Sequence, residues 1–149
     1  MEMPEYTISP VRMGGLVKET EKDLVRIHLR GRLGVLVVPR WLIRGDEEIV
    51  PGHELSFYFS YVWVVTDPVE CDASELRQGM DPFPVLVSGT ITEVNDTAAR
   101  ITVQDGLGTV AVPRRWLFTP VPLKTGLKVE FYYSSMDVTG MSSIPVESI

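Results

Sequence analysis

The chain has 149 residues, 20 acidic and 14 basic, for a net charge of −6 and a pI near 4.9. That balance disfavours a general nucleic-acid binder, which needs concentrated positive charge, and an apolar fraction of 44% with 23% charged residues excludes a disordered chain. A single cysteine, Cys71, leaves no intrachain disulfide and points to a reducing, cytoplasmic setting, and no apolar run has the length of a membrane-spanning helix.

In chain order, the opening MEMPEYTISP is acidic and interrupted by proline. It lacks the basic lead-in and apolar core of a signal peptide, so none is expected. Residues 8–66 then read as a first unit of short strands. In "VRIHLR" the alternation puts Val25, Ile27 and Leu29 on one face and Arg26, His28 and Arg30 on the other. "GRLG" marks a turn. "VLVVP" is a buried strand that stops at Pro39, because proline has no N–H for a sheet ladder, and "PRWLI" suits a short helical turn opened by that proline. "ELSFYFSYVWVV" is a long strand run with Leu55, Phe57 and Phe59 inward.

Residues 67–81 form an acidic connector, with Asp67, Glu70, Asp72, Glu75 and Asp81 against Arg77, expected to be a solvated linker. Residues 82–149 then repeat the first unit 74 positions on. Pro10, Gly15, Glu19, Arg26, Leu33, Gly34, Pro39 and Arg40 return as Pro84, Gly89, Glu93, Arg100, Leu107, Gly108, Pro113 and Arg114. Trp41-Leu42 reads as returning at Trp116-Leu117 after one inserted residue, and the register recovers by Gly52 and Gly126. The second unit places Ala99, Ile101 and Val103, then Val129, Phe131 and Tyr133, inward. The expected fold is all-β: two tandem, duplicated small β-barrels, OB-like with an SH3-like barrel as the alternative, packed as a pseudo-symmetric pair.

The second unit runs G-x-I-x-E-V, R-I-T-V-x-D-G, L-G-x-V-x-V-P, a short helix, then G-x-K-V-x-F-Y-x-S. This layout resembles S1-type OB barrels, which implies RNA binding by base stacking on aromatic side chains with basic groups nearby. The corresponding stretches, "EKDLVRIHLR" and "NDTAARITVQ", hold no aromatic residue, and Val37 and Ala111 stand near where such domains often carry a histidine. The duplicated "GRLGVLVVPRWLI…PGHELSFYFSYVWVV" also resembles a small family of chiefly clostridial bacterial proteins over nearly the whole chain. That resemblance implies no activity.

Among chemistry-bearing residues, Cys71 has no histidine near it in sequence, and His28 and His53 have no further ligands at metal-site spacing. "GRLG" precedes a strand, so it offers no helix N-terminus to a phosphate. No catalytic residue, metal or cofactor is expected, and the chain reads as a non-enzyme. Two features remain. One is a basic strip, Arg26, His28, Arg30, Arg32, Arg40 and Arg44, whose plain reading is solvation or pairing with connector acids. The other is an apolar surplus: Tyr61 to Val65 run without a polar break through Trp63, and Val35 and Val37 stand where the second unit has Thr109 and Ala111. Burying one large apolar side chain is worth about 1.5–3 kcal/mol, so this surplus must be covered, by the two barrels packing on each other or by a partner. The functional expectation is a binding or assembly module for another protein or a second copy of the chain, using Arg26, His28, Arg30, Arg32, Val35, Val37, Arg40, Tyr61 and Trp63. The alternatives are RNA or single-stranded nucleic acid on the basic strip and a small-ligand sensor between the barrels. No membrane partner is expected.

Overall fold

The structure, a computed structural model, describes residues 10–67, 76 and 82–142. The first half supplies β1 (Val11–Glu21), β2 (Leu24–Leu29), β3 (Val35–Pro39), β4 (His53–Phe59) and β5 (Val62–Val65). The second supplies β6 (Val85–Val94), β7 (Ala98–Val103), β8 (Thr109–Pro113), β9 (Leu117–Phe118), β10 (Lys128–Tyr133) and β11 (Asp137–Met141). The strands join in the order β4-β1-β2-β3-β8-β7-β6-β10, and β10 returns to β4, closing a ring of eight. The all-β barrel expectation holds. The two halves, however, share this ring, four strands each, instead of closing separately. The reason is size: an eight-stranded ring has an interior that side chains just fill, whereas the four ring strands of one half leave two open edges.

The edges meet around a pseudo-two-fold axis. At the first seam β3 and β8 run antiparallel with Leu36 opposite Val110, its own duplicate, flanked by Val35 opposite Ala111 and Val37 opposite Thr109. The backbones approach closely here: a Cβ on Gly34 would run into the Ala111 carbonyl, and one on Gly108 into the Val37 carbonyl. At the second seam Phe59 pairs with its duplicate Tyr133. This short ladder is extended by two serines acting reciprocally. The Tyr132 N–H donates to Ser60 Oγ and the Tyr58 N–H to Ser134 Oγ, both at 2.8 Å.

Ser60 also breaks the expected long run "ELSFYFSYVWVV" into β4 and β5, as Ser134 separates β10 from β11. After the break the chain crosses to the other half: β5 pairs with β10, and its counterpart β11 pairs with β4. Val62, Val64 and Val65 are thereby buried, so this part of the apolar surplus is covered by the chain's own second half, while Trp63, Val35 and Val37 are half-buried and Tyr61 is exposed.

The inward residues are those the alternation picks out. Val25, Ile27, Leu29, Leu55, Phe57, Phe59, Ala99, Ile101, Val103, Val129, Phe131 and Tyr133 are all buried. Four rings, Phe57, Phe59, Phe131 and Tyr133, meet edge to face near the second seam. The Tyr133 hydroxyl is the only described buried side-chain polar atom left without a hydrogen-bond partner, and burial pushes its pKa far up.

The "PRW" corners are 3-10 turns, Arg40–Leu42 and Arg114–Trp116, each entered through its proline. Their hydrogen bonds correct the sequence alignment. Arg40 N–H donates to Asp23 O as Arg114 N–H does to Thr97 O, and Ile43 N–H returns to Arg40 O as Leu117 N–H does to Arg114 O. The 74-residue offset is therefore unbroken, with no inserted residue. Leu42 corresponds to Trp116, both buried, and Trp41 corresponds to Arg115.

Candidate functional site

The nine candidate residues fall into three separate places. Arg26, His28, Arg30, Arg32, Val35 and Val37 lie on or beside the outer face of β2 and β3; Arg40 sits in the first corner; Tyr61 and Trp63 belong to the second corner.

On the outer face the charges are largely cancelled within the barrel. Arg26 lies 3.9 Å from Glu19, repeated by Arg100 at 3.3 Å from Glu93, and Arg30 lies 3.2 Å from Glu54. The connector acids fall almost wholly outside the described residues, apart from Asp67. The β3–β8 seam presents Val35, Val37, Thr109 and Ala111, half-buried, with Arg26 and His28 beside them. No aromatic side chain stands at these ladder positions. His28 is held below its ordinary pKa by burial first, then by Lys18 and Arg26, with Glu19 opposing. Arg40 is structural: its guanidinium donates to the carbonyls of Ile43, Gly45 and Glu47 at 2.6, 3.0 and 2.7 Å, pinning the loop after the corner.

The second corner is different in kind. Tyr61 stacks on Trp116 with ring centroids 3.9 Å apart and on Phe118 at 4.9 Å. Trp116 Nε1 donates to the Ser60 carbonyl, and β5 and β9 run parallel, with Trp63 opposite Phe118. Trp63 Nε1 donates to buried Glu130. Beyond this aromatic group opens a cavity of about 400 Å³ walled by Val64, Val65, Pro120, Val121, Pro122 and Leu127, with Lys124 its one charged side chain. Tyr61 and Val121 remain 38% and 43% exposed. A cavity of this size and lining falls within the range of ligand sites.

The two-fold provides a control within the molecule. A cavity at the first corner, also about 400 Å³, is lined by Arg12, Arg44, Gly45, Glu47, Asp137, Val138 and Thr139 and overlaps the counterpart of the second-corner cavity in part, with Glu47, Val138 and Thr139 answering to Val121, Val64 and Val65. Residue by residue, Tyr61, Trp63, Phe118, Pro120, Val121 and Pro122 in one corner answer to Ser135, Asp137, Arg44, Asp46, Glu47 and Glu48 in the other. There Arg44 forms an ion pair with Asp137 at 2.9 Å, and the bridge Ile43–Met136 repeats the pairing of Leu117 with Val62. One backbone thus carries an aromatic-proline surface at one end and a charged one at the other.

Sequence reasoning found Tyr61 and Trp63 but missed Trp116, Phe118, Pro120, Val121, Pro122, Lys124 and Leu127. A signal was present: residues 106–129 contain no acidic residue and four basic ones in a chain of net charge −6. His53 Nδ1 accepts from the Val50 N–H, and among the described residues no cluster of three metal-ligating side chains occurs. No described helix is long and apolar enough to cross a membrane. No protein-family model matches the chain, and no curated protein sequence does.

Proposed function

We propose that the protein is a non-enzymatic, cytoplasmic binding module that docks an acidic, apolar linear segment of another protein on the second corner. One observation carries the reading: the fold accepts a charged surface at this position, as the first corner demonstrates, so the exposed aromatic and proline side chains of the second serve something other than folding. The cavity and its rim fit apolar anchor side chains. Lys124 and the acid-free stretch around it favour carboxylates on the ligand over a basic partner. The cytoplasmic setting rests on the lone cysteine.

The test is selection of peptides from a random library on the wild-type protein, followed by affinity measurement on Val121→Glu and Lys124→Glu. The first substitution installs the residue of the charged corner, so the fold is expected to accept it. Enriched peptides should combine apolar anchors with acidic residues and weaken roughly tenfold on either variant. Enrichment of basic peptides, or affinity unchanged by Val121→Glu, would overturn the reading. So would a dimer in sedimentation that Val121→Glu dissociates, because a second copy would then occupy the corner.

A further inference from the structure

We infer that the Gly31–Gly34 end of the β3–β8 seam binds the phosphate group of a small phosphorylated molecule, between Arg32 and Arg115. This site is distinct from the corner proposed above. A cavity of about 500 Å³ opens there, lined by His28, Arg30, Gly31, Arg32, Gly34 and Val35. Arg32 comes from the first half. Arg115, from the second half, lies beside the cavity and not in its lining, and its Nη2 donates to the Arg32 carbonyl at 3.4 Å. Neither arginine has an acidic partner among the described residues, in contrast to Arg26, Arg30 and Arg100. Two guanidinium groups match the charge of a phosphomonoester and offer it forked donors.

The duplicate turn shows that folding does not require this arginine. Gly31 and Arg32 have φ of +73° and +56°; their counterparts Asp105 and Gly106 have +63° and +74°. Asp-Gly is the pair such a turn favours. The first half instead holds a bulky side chain in a left-handed conformation that L-residues disfavour, and holds it beside Arg115, which has no acidic partner among the described residues and whose own counterpart is Trp41. Each turn places one non-glycine residue at positive φ, but the second half uses Asp105, a type that tolerates it, and an arginine kept at Arg32 instead points to a ligand.

A small molecule fits better than RNA. The outer face beside the cavity presents Val35, Val37, Thr109 and Ala111 and no aromatic platform for bases, and Arg26 and Arg100, one on each flanking strand, are each neutralised by a glutamate. What remains is a point of positive charge, not a track along a backbone.

The experiment is calorimetric titration with inorganic pyrophosphate and phenyl phosphate, repeated on Arg32→Gly, Arg115→Ala and the control Arg100→Ala. Arg32→Gly introduces the residue of the duplicate turn and should fold with an unchanged or raised melting temperature. Saturable one-to-one binding is expected, weakened roughly tenfold by either seam substitution and little changed by the control. No saturable binding, or equal affinity across the variants, would overturn the assignment. Binding of a uridine oligonucleotide of about 15 residues that survives both seam substitutions and falls steeply with salt would overturn it in favour of RNA.

Discussion

Replacing Ser60 or Ser134 by alanine should destabilise the whole molecule and not one half of it. Each hydroxyl accepts the N–H of a tyrosine on the opposite half's strand, Tyr132 for Ser60 and Tyr58 for Ser134, and donates to the next carbonyl of its own chain, that of Tyr61 or Ser135. Both serines are at most 1% exposed, so alanine leaves a main-chain N–H at the seam without a partner or access to water. Stranding such a donor costs about 1–3 kcal/mol; with a total stability of about 5–15 kcal/mol, the loss is easily measured. In urea, about 2 kcal/mol corresponds to a midpoint lowered by about 1 M. Far-ultraviolet circular dichroism and tryptophan fluorescence should report one coincident transition in the wild type and in both variants, because Trp41 belongs to the first half, Trp116 to the second, and the ring includes strands of both. The two substitutions should cost similar amounts, since the two-fold makes their environments alike. A biphasic curve in either variant, or a loss below about 0.5 kcal/mol, would refute the shared ring.

Other consequences follow from single residues. Tyr133→Phe removes the unpartnered hydroxyl at a position whose duplicate is already Phe59; it should leave stability unchanged or raise it by about 1 kcal/mol, and a loss in a urea titration would show that the hydroxyl has a partner. Gly34→Ala and Gly108→Ala push a Cβ into the opposing backbone and should each cost at least about 3 kcal/mol in chemical denaturation, whereas Gly126→Ala, with φ +92° and open space around the new atom, should cost about 1 kcal/mol; equal losses would mean that the seam is not tightly closed. His28 has a lower pKa folded than unfolded, so its contribution is fully present above its ordinary pKa of 6.5 and is lost as pH falls below it. Urea midpoints should therefore decline between about pH 7 and pH 5 with a slope that His28→Gln reduces, and an identical slope in the variant would place the proton uptake elsewhere.

Strand faces were legible because burial on a half-buried strand follows a period of two, and Val25, Ile27, Leu29 and their counterparts obey it. The same pattern carries no information on which copy of a repeated strand is the partner. The edge of β3 can meet a strand of its own half or β8, and only the need to enclose a filled interior decides between them. The misplaced insertion has a similar origin. Matching Trp41 to Trp116 follows side-chain identity, whereas the corner keeps its hydrogen bonds and lets the tryptophan move one position, so that Trp116 buries where Leu42 does. The arginines looked like a continuous basic strip because their partners, Glu19 and Glu54, come from other strands whose register the sequence does not display. The apolar corner was half visible, in Tyr61 and Trp63, because its other half arrives from β9 and the loop after it.

The central claim is that one of two equivalent corners is a docking surface. Its most direct test is amide and side-chain chemical-shift mapping on isotope-labelled protein during titration with a selected acidic peptide. Shifts are predicted at Tyr61, Trp63, Phe118, Val121, Lys124 and Leu127, with Arg44, Glu47, Asp137 and Thr139 unmoved. Equal shifts at both corners, or shifts confined to the β3–β8 face, would contradict it.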